Sequence, residues 1–583
     1  MNTSAKSRFL ALTCVIALLF SALATYPVAE TGMNDDWSYI KTTQIFVQTG
    51  HIAYNGWGAM MLGWQLLLGA IFAKLFGPSF TAIRASTLLV ALVAAFLTQR
   101  VLVRAGATSR NATFGTLAIV LGPLFLPLAL SFLTDTGGYF VIVLCLYACL
   151  RTVQACTDRA ALAWLTFAAL SNALGGTVRQ IAWLGVLVMV PCAIWLVRRR
   201  QRMIVVGAIL YLISLIIIFG SLHWFHSQPY SRPEPLIPEH LNSQNLRFLV
   251  ARCFRAFSSF VLFLLPILLV FLPALSLRTR RTRTLFVVGG LLCAIGGILL
   301  QYKNILGNLL NPVGNYILLG DGIADIAALR ENGATVLAST VRLVVIAVIL
   351  LVLLCFSTFL LTSRRRPVLS TQDPLSISWR NLLILIVPFT AAYLALLMPR
   401  GATSGLYDRY LLPLLLIGVL LLLRLFQDRV QPELPLGCLI FIGLFAVYAI
   451  AGTYDNFSAY RAKLTAIATL RAAGIPDAAI DAGFEHNAWL QVERFGFIKD
   501  EPQRNPLPVQ FVSIPESCRP TLVELTPVMV PGYRLSGDPE ACGGESRFAP
   551  VSYRGWLGFH TSTLYILNSS KILNTNAEIS APR

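Results

Sequence analysis

Charge is what this chain has least of. Aspartate and glutamate together number 27 in 583 residues, and charged residues of both signs make up only 13%. Hydrophobic residues make up 56% and the mean hydropathy is +0.70. That balance leaves a polytopic helical membrane protein, because apolar runs of about 20 residues, long enough to cross a bilayer core as helices, recur from end to end. Several signatures are missing as well. The chain has no Walker loop, no dinucleotide fingerprint and no nucleophile elbow, so energy and reactive groups must arrive with a substrate. No internal repeat and no low-complexity tract is visible. The first apolar run, Phe9 to Val28, lacks a convincing small-residue cleavage site and reads as an uncleaved first helix.

What charge there is has a pattern. A net charge of +19 raises the question of nucleic acid, and its placement answers no. The basic clusters Arg198 to Arg202, Arg278 to Arg283 and Arg364 to Arg366 sit in short gaps between apolar runs. Assigning these gaps to the cytoplasm follows the positive-inside rule. Alternate counting then predicts about thirteen spans, near 9–28, 80–99, 112–131, 136–152, 160–177, 181–197, 203–222, 256–276, 285–302, 338–361, 381–398, 410–427 and 436–452. The N-terminus falls inside and the C-terminus outside, as for a multi-pass protein of the plasma (inner) membrane. The inside segments hold only four acids, Asp158, Asp373, Asp428 and Glu433, and all six histidines fall outside.

Two parts follow from this count: a membrane domain over 1–452 and a polar tail over 453–583. The tail opens with a helical pattern, Tyr460 to Ala473, followed by short β-type runs at Val509–Ser513 and Ser562–Leu567. It reads as a small α/β or α+β domain on the outer face. Cys518 and Cys542 lie in it, and either a disulfide or two free thiols is compatible with that position. The first outer loop, 29–79, carries a helix from Asp36 to Thr49, a break at Gly50-His51, and an apolar stretch from Met60 to Phe76 that suits a helix lying at the membrane interface.

Candidate chemistry gathers at the outer helix ends. Asp35 and Asp36 sit just beyond the first span, within Met33-Asn-Asp-Asp-Trp-Ser-Tyr39. They suit either a helix N-cap or a carboxylate that accepts a proton or helps to hold a divalent metal. Asp135 lies in a very short turn between two spans, where an ionisable group is expensive and so a functional candidate. Arg179, Lys303, Arg400 and Arg409 stand near outer helix ends. They either snorkel to headgroups or form a pocket for an anionic lipid phosphate.

In this order and placement the motifs resemble the membrane glycosyltransferases of the C superfamily (GT-C) that use polyprenyl-phosphate sugars, such as protein O-mannosyltransferases and the aminoarabinose transferase of lipid A. The resemblance rests on Asp35-Asp36-Trp-Ser-Tyr39, Thr134-Asp135, Arg179-Gln180 and Arg409-Tyr410-Leu-Leu-Pro413, and it covers the whole membrane domain. It implies a GT-C-like all-α membrane fold and transfer of a sugar, with inversion, from a polyprenyl-phosphate donor to a glycan, lipid or protein acceptor. It implies catalysis by Asp35, with Asp36 and Asp135 as further catalytic candidates. Arg179, Lys303, Arg400 and Arg409 would bind the donor phosphate, and Tyr39, Gln180 and Tyr410 the substrate. The chain departs from the aminoarabinose transferases at Trp57-Gly-Ala-Met-Met-Leu62, which lacks their lysine and acidic residue. Glu239-His240 echoes a Glu-His of that family at a longer spacing, so His240 enters only as a metal-ligand candidate. The rival from another class is a transporter or flippase of lipid-linked sugars, which predicts paired repeats or broken helices around a mid-membrane site.

Overall fold

The computed structural model describes residues 3–233, 243–274, 279–302, 339–362, 377–403, 406–498 and 507–568, apart from 531, 544, 546 and 560. His240, Lys303 and the basic run 364–366 lie outside the described residues.

The bundle begins with α1 (Thr3–Ala24), followed by two short helices, α2 (Asp36–Thr49) and α3 (Gly63–Phe76). Next come α4 (Phe80–Arg104), α5 (Ser109–Val120), α6 (Phe125–Ala129), α7 (Thr134–Val153), α8 (Asp158–Gly175), α9 (Val190–Leu196) and α10 (Gln201–Ser227). The second half holds α11 (Ser243–Leu268), α12 (Arg280–Tyr302), α13 (Ser339–Thr362), α14 (Trp379–Thr403), α15 (Leu412–Arg429), α16 (Cys438–Ala472) and α17 (Phe484–Phe495). Helical backbone covers most of the described part of each segment expected to span, although α1 ends at Ala24, short of the expected 28. By length and composition, eight helices among the described residues are long and apolar enough to cross a membrane, against the thirteen spans expected. Hydroxyl caps mark several starts: Ser79 accepts from Ala82 N–H, Thr108 from Asn111 N–H and Thr157 from Ala160 N–H, each relieving an orphan donor of the first turn.

Two expected spans are interrupted. The segment 112–131 is two helices, α5 and α6, parted around Gly122-Pro123, where proline has no N–H to continue the ladder. The segment 181–197 runs as a 3-10 turn (Gln180–Trp183), a π turn (Gly185–Met189) and then α9. There the buried Asn172 side chain accepts the Val186 N–H at 2.7 Å. A side chain inserted into the ladder in this way is a recognised cause of a π turn.

The first loop has the predicted form. α2 ends at Gly50, whose φ of 75° is left-handed, a conformation that glycine adopts without a Cβ penalty. α3 has 14 residues, about 21 Å at the α-helical rise, and is too short to cross a core of about 30 Å. α16 differs from expectation in the other direction. Its 35 residues are one unbroken helix, about 52 Å long. The last apolar segment and the helical start of the tail are therefore one element, and residue 452 lies within it.

Beyond α16 stands a four-stranded sheet of order β1 (Ile480–Asp481), β2 (Tyr533–Ser536), β4 (Thr561–Asn568), β3 (Val551–Arg554). β1 pairs parallel to β2, with Ile480 opposite Tyr533, and the other pairs are antiparallel, with Leu535 opposite Ile566 and Tyr553 opposite Ser562. Ile467 and Leu470 on the last turns of α16 pack under Ile480, Leu535, Leu564 and Ile566. The β-type run at 562–567 is indeed a strand. The run at 509–513 is not, because Val509–Phe511 forms a 3-10 turn. Phe511 and Ile514, three apart, are both buried while Val509 and Val512 are exposed, which is the 3-10 period rather than the strand period. Cys518 and Cys542 form a disulfide, with Cα atoms 5.6 Å apart.

Candidate functional site

The two adjacent acids point to different places. The chain turns at Asn34, whose φ is +55°, and asparagine is among the few residues that tolerate this region. Asp36 then enters the core with no exposed surface. Its Oδ2 meets Arg84 Nε at 2.8 Å and its Oδ1 meets Arg84 Nη2 at 3.1 Å. The N–H groups of Met33 (2.7 Å) and Phe132 (3.3 Å) also donate to it. A carboxylate has about four lone-pair positions, and Asp36 has all four engaged. Arg84 also donates to the carbonyls of Ala29 and Thr31. This pair ties the first loop, α4 and the turn before α7 into one unit.

Asp35 occupies the N-cap position of α2 but makes no capping hydrogen bond. Its Oδ1 accepts the indole N–H of Trp57 at 2.8 Å, and its Oδ2 faces Arg409 Nη2 at 3.5 Å. A quarter of its side chain is exposed (25%). Asp135 likewise makes no cap, although it stands in the first turn of α7. It meets Arg179 Nη1 at 3.1 Å and Arg409 Nε at 3.9 Å. Arg409 thus straddles both carboxylates, at distances longer than the 2.8 Å of the Asp36–Arg84 contact.

The guanidiniums converge on one ring. Arg179, Arg400 and Arg409 lie 5.0, 5.1 and 5.7 Å from the centroid of Tyr410, within cation–π range. Tyr393 donates its hydroxyl to the Tyr410 carbonyl at 2.8 Å and holds the 3-10 turn Asp408–Leu411 against α14. Arg179 also donates to the Thr134 hydroxyl at 3.1 Å. It lies across Gly138 of α7, where an added Cβ would come within 2.8 Å of its Cδ, so only glycine leaves room for it. Burial pulls the Arg179 guanidinium down, but Asp135 and then Tyr410 outweigh it and hold it above its ordinary value. Tyr39 is buried beside these groups. Burial first, then the charge of Asp35, push its phenol well above the usual range, so it stays protonated and can donate. Burial and the neighbouring Tyr410 also push the Tyr407 phenol up.

Seven predicted residues therefore meet at one place: Asp35, Tyr39, Asp135, Arg179, Arg400, Arg409 and Tyr410. They come from α2, α7, α14, the turn after α8 and the turn before α15. Gln180 sits beside them at the start of its 3-10 turn. Asp36 is directed away, into its own ion pair. Sequence reasoning missed Arg84, although a lone charge inside an apolar span is itself a signal. It also missed the donor roles of Trp57 and Tyr393, for which no local signal exists.

Among the described residues, no group of three or more His, Cys, Asp or Glu side chains is placed to hold a metal ion. The donor chemistry agrees: Asp36 is saturated, and Asp35 and Asp135 face guanidiniums. The described residues do not by themselves make a divalent-cation site.

No protein-family model and no curated protein matches the chain. Solved structures of similar shape exist. The apo structure of ArnT from Cupriavidus metallidurans is 15% identical, with 98% of this chain and 99% of that one covered at a TM-score of 0.40. The same protein bound to undecaprenyl phosphate gives 14% identity, 99% of each chain and a TM-score of 0.40. The archaeal oligosaccharyltransferase AglB from Archaeoglobus fulgidus, in complex with an inhibitory peptide and a dolichol-phosphate, gives 14% identity and a TM-score of 0.34 over 76% of this chain and 55% of that one.

Proposed function

We propose that this chain is a membrane glycosyltransferase. It moves a sugar from a polyprenyl-phosphate donor to a glycan, lipid or protein acceptor, with inversion, on the face that bears the C-terminal region. The basic gaps make that face periplasmic or extracellular in a plasma-membrane protein whose N-terminus is cytoplasmic. In this reading residues 1–452 are the transferase domain and 453–583 an outer domain. The observation that carries the proposal is the contrast within the acid pair. Asp36 has every acceptor position filled, whereas Asp35 is uncapped, partly exposed and beside a cluster of arginines.

Three guanidiniums around one ring repel one another unless anions are near. Asp35 and Asp135 face this cluster, and a donor phosphate would bring further negative charge to it, with bidentate arginine contacts fixing its orientation. The donor arrives from the bilayer. The bond between the anomeric carbon and the phosphate oxygen breaks, and its electron pair leaves on the phosphate. Arg179, Arg400 and Arg409 stabilise that developing charge. The acceptor's nucleophilic oxygen or nitrogen bonds the anomeric carbon from the opposite face and passes its proton to Asp35. Tyr39 and Tyr410 shape the pocket, and the buried Tyr39 phenol remains a donor throughout.

A flippase of lipid-linked sugars is the second reading, because interrupted helices at 121–124 and 180–189 are what a transporter would show. It puts function at mid-helix, whereas the charged cluster is built from helix ends. The test uses purified wild type and Asp35→Asn in lipid vesicles, with polyprenyl-phosphate sugars and an envelope extract as acceptor. Mass spectrometry follows free polyprenyl phosphate. Release by wild type and its loss in Asp35→Asn is expected. An equal rate in the variant sinks the role of Asp35, and movement of donor between leaflets without release favours the flippase.

A further inference from the structure

The surroundings of Asp35 do not all belong to the helical bundle. The Trp57 indole that donates to its Oδ1 packs on Phe484, ring centroids 4.6 Å apart. Both rings also meet the buried Trp37, at 6.4 and 6.1 Å. Phe484 opens α17, which belongs to the C-terminal region. Further contacts hold α17 and the residues after it on the first loop. Trp489 lies against Phe80 at 4.9 Å, and Lys41 sits over the Trp489 ring at 4.4 Å while pairing with Glu493 at 3.3 Å. The Ile498 N–H donates to the Asn55 carbonyl at 3.0 Å. The Trp57 backbone N–H donates to Asn55 Oδ1 at 3.3 Å. Trp57 is thus held through its backbone by Asn55 and through its ring by Phe484 of α17.

We infer that Trp57 is a positioning residue for Asp35, and that Phe484 makes the C-terminal region part of the site by bracing Trp57. The consequence for catalysis rests on the transferase reading, whereas the contact does not. The carboxylate torsion of aspartate is broad and nearly two-fold, so an uncapped Asp35 has no fixed orientation of its own. One N–H held at 2.8 Å on Oδ1 selects a rotamer and leaves Oδ2 turned toward Arg409 and the open side. Arg409 and the Tyr407 phenol face this carboxylate from the turn before α15, and the Tyr39 phenol from its own helix α2. Phenylalanine at 57 keeps the ring stack and removes the N–H, which separates the donor from its packing.

The experiment measures kcat and donor KM for wild type, Trp57→Phe, Phe484→Ala and Phe484→Tyr, using release of polyprenyl phosphate. Trp57→Phe is expected to lower kcat roughly tenfold or more, the worth of a hydrogen bond to a charged acceptor, and to leave donor KM near wild type. Phe484→Ala lowers kcat by less, and Phe484→Tyr restores it. A second readout does not need turnover. In protein labelled with 5-fluorotryptophan, the fluorine signal that Trp57→Phe deletes should shift in Asp35→Asn and in Phe484→Ala, and hold its place in Phe484→Tyr. Wild-type kcat in Trp57→Phe, or a Trp57 signal indifferent to Asp35→Asn, overturns the inference. So does a Phe484→Ala variant that only loses folded protein while kcat per folded molecule stays at the wild-type value. If wild type releases no polyprenyl phosphate, the transferase reading falls, and the fluorine signal alone decides whether Trp57 holds Asp35.

Discussion

Asp35 and Asp36 are separated by one peptide bond and share almost nothing else. Around Asp36 lies a dry, closed unit. Arg84 grips both carboxylate oxygens, two backbone N–H groups complete the set, and neither side chain is more than 4% exposed. Around Asp35 lies an open one, with one indole N–H, one guanidinium at 3.5 Å and a quarter of the side chain exposed. A carboxylate whose acceptor positions are full can only hold structure, whereas one with positions to spare can take a proton. The closed pair makes the open one dependable, because Asp36 anchors the chain from which Asp35 projects.

Exchanging the two acids for asparagine is the sharpest way to break this comparison. In Asp35→Asn, transfer should fall about a thousandfold, within the usual range for losing a general base. Its melting temperature should match wild type, since Asp35 caps nothing; a lowered melting temperature with activity intact would reverse the roles. Asp36→Asn should instead cost about 3–5 kcal/mol of stability, because it strands the Arg84 charge inside the bundle. Thermal melting in detergent reads this, and the double variant Asp36→Leu with Arg84→Met should recover most of the loss. If the single variant melts like wild type, the closed unit is not a strut.

A smaller effect extends the comparison to the C-terminal region, which buries a titratable group of its own. Burial, and then the nearby Lys463, hold the His486 imidazole down at about 3 against an ordinary 6.5. The unfolded chain takes up this proton as pH falls below 6.5, and the folded chain only near 3. The stabilisation is therefore complete above that window and is lost on acidification through it, by about 2 kcal/mol at pH 5. Denaturation of the full chain at pH 7 and pH 5 measures it, and His486→Phe should flatten the difference. The smallest effect belongs to Arg409→Lys. It keeps the charge but loses the planar fork that reaches both Asp35 and Asp135, so donor KM should rise about tenfold with little change in melting. An unchanged KM would mean that the two loose contacts, not the donor, are what Arg409 serves.

Much of this was legible residue by residue. Apolar run lengths located the helices, and the break at Gly50 located the end of α2. A charge stranded in a turn of an apolar chain flagged Asp135, Arg179 and Arg409, and the structure brings all three together. The misses have physical causes. Val509–Ser513 has strand-type residues but follows Pro508 and buries Phe511 with Ile514, so tertiary burial overrode its propensity. The unbroken α16 looked like two elements because its outer half is polar, and helix continuity depends on backbone hydrogen bonds rather than on hydropathy. Trp57 drew notice as the start of a stretch that departs from the aminoarabinose transferases, and nothing nearby in the chain reveals that its indole N–H ends on Asp35.

By itself, the sequence determined the helical, membrane-spanning character of the chain and the short roster of charged residues at helix ends that the structure gathers. Those properties depend on transfer free energy and periodicity, which are local sums over neighbouring residues. Only the tertiary structure decided which of two adjacent aspartates is closed and which is open. That choice turns on Arg84, Trp57 and Arg409, which lie 48, 22 and more than 370 positions away in the chain, as the distances Asp36–Arg84, Asp35–Trp57 and Asp35–Arg409 record. The state of a carboxylate is set by the partners that packing brings to it, and packing is a property of the whole bundle.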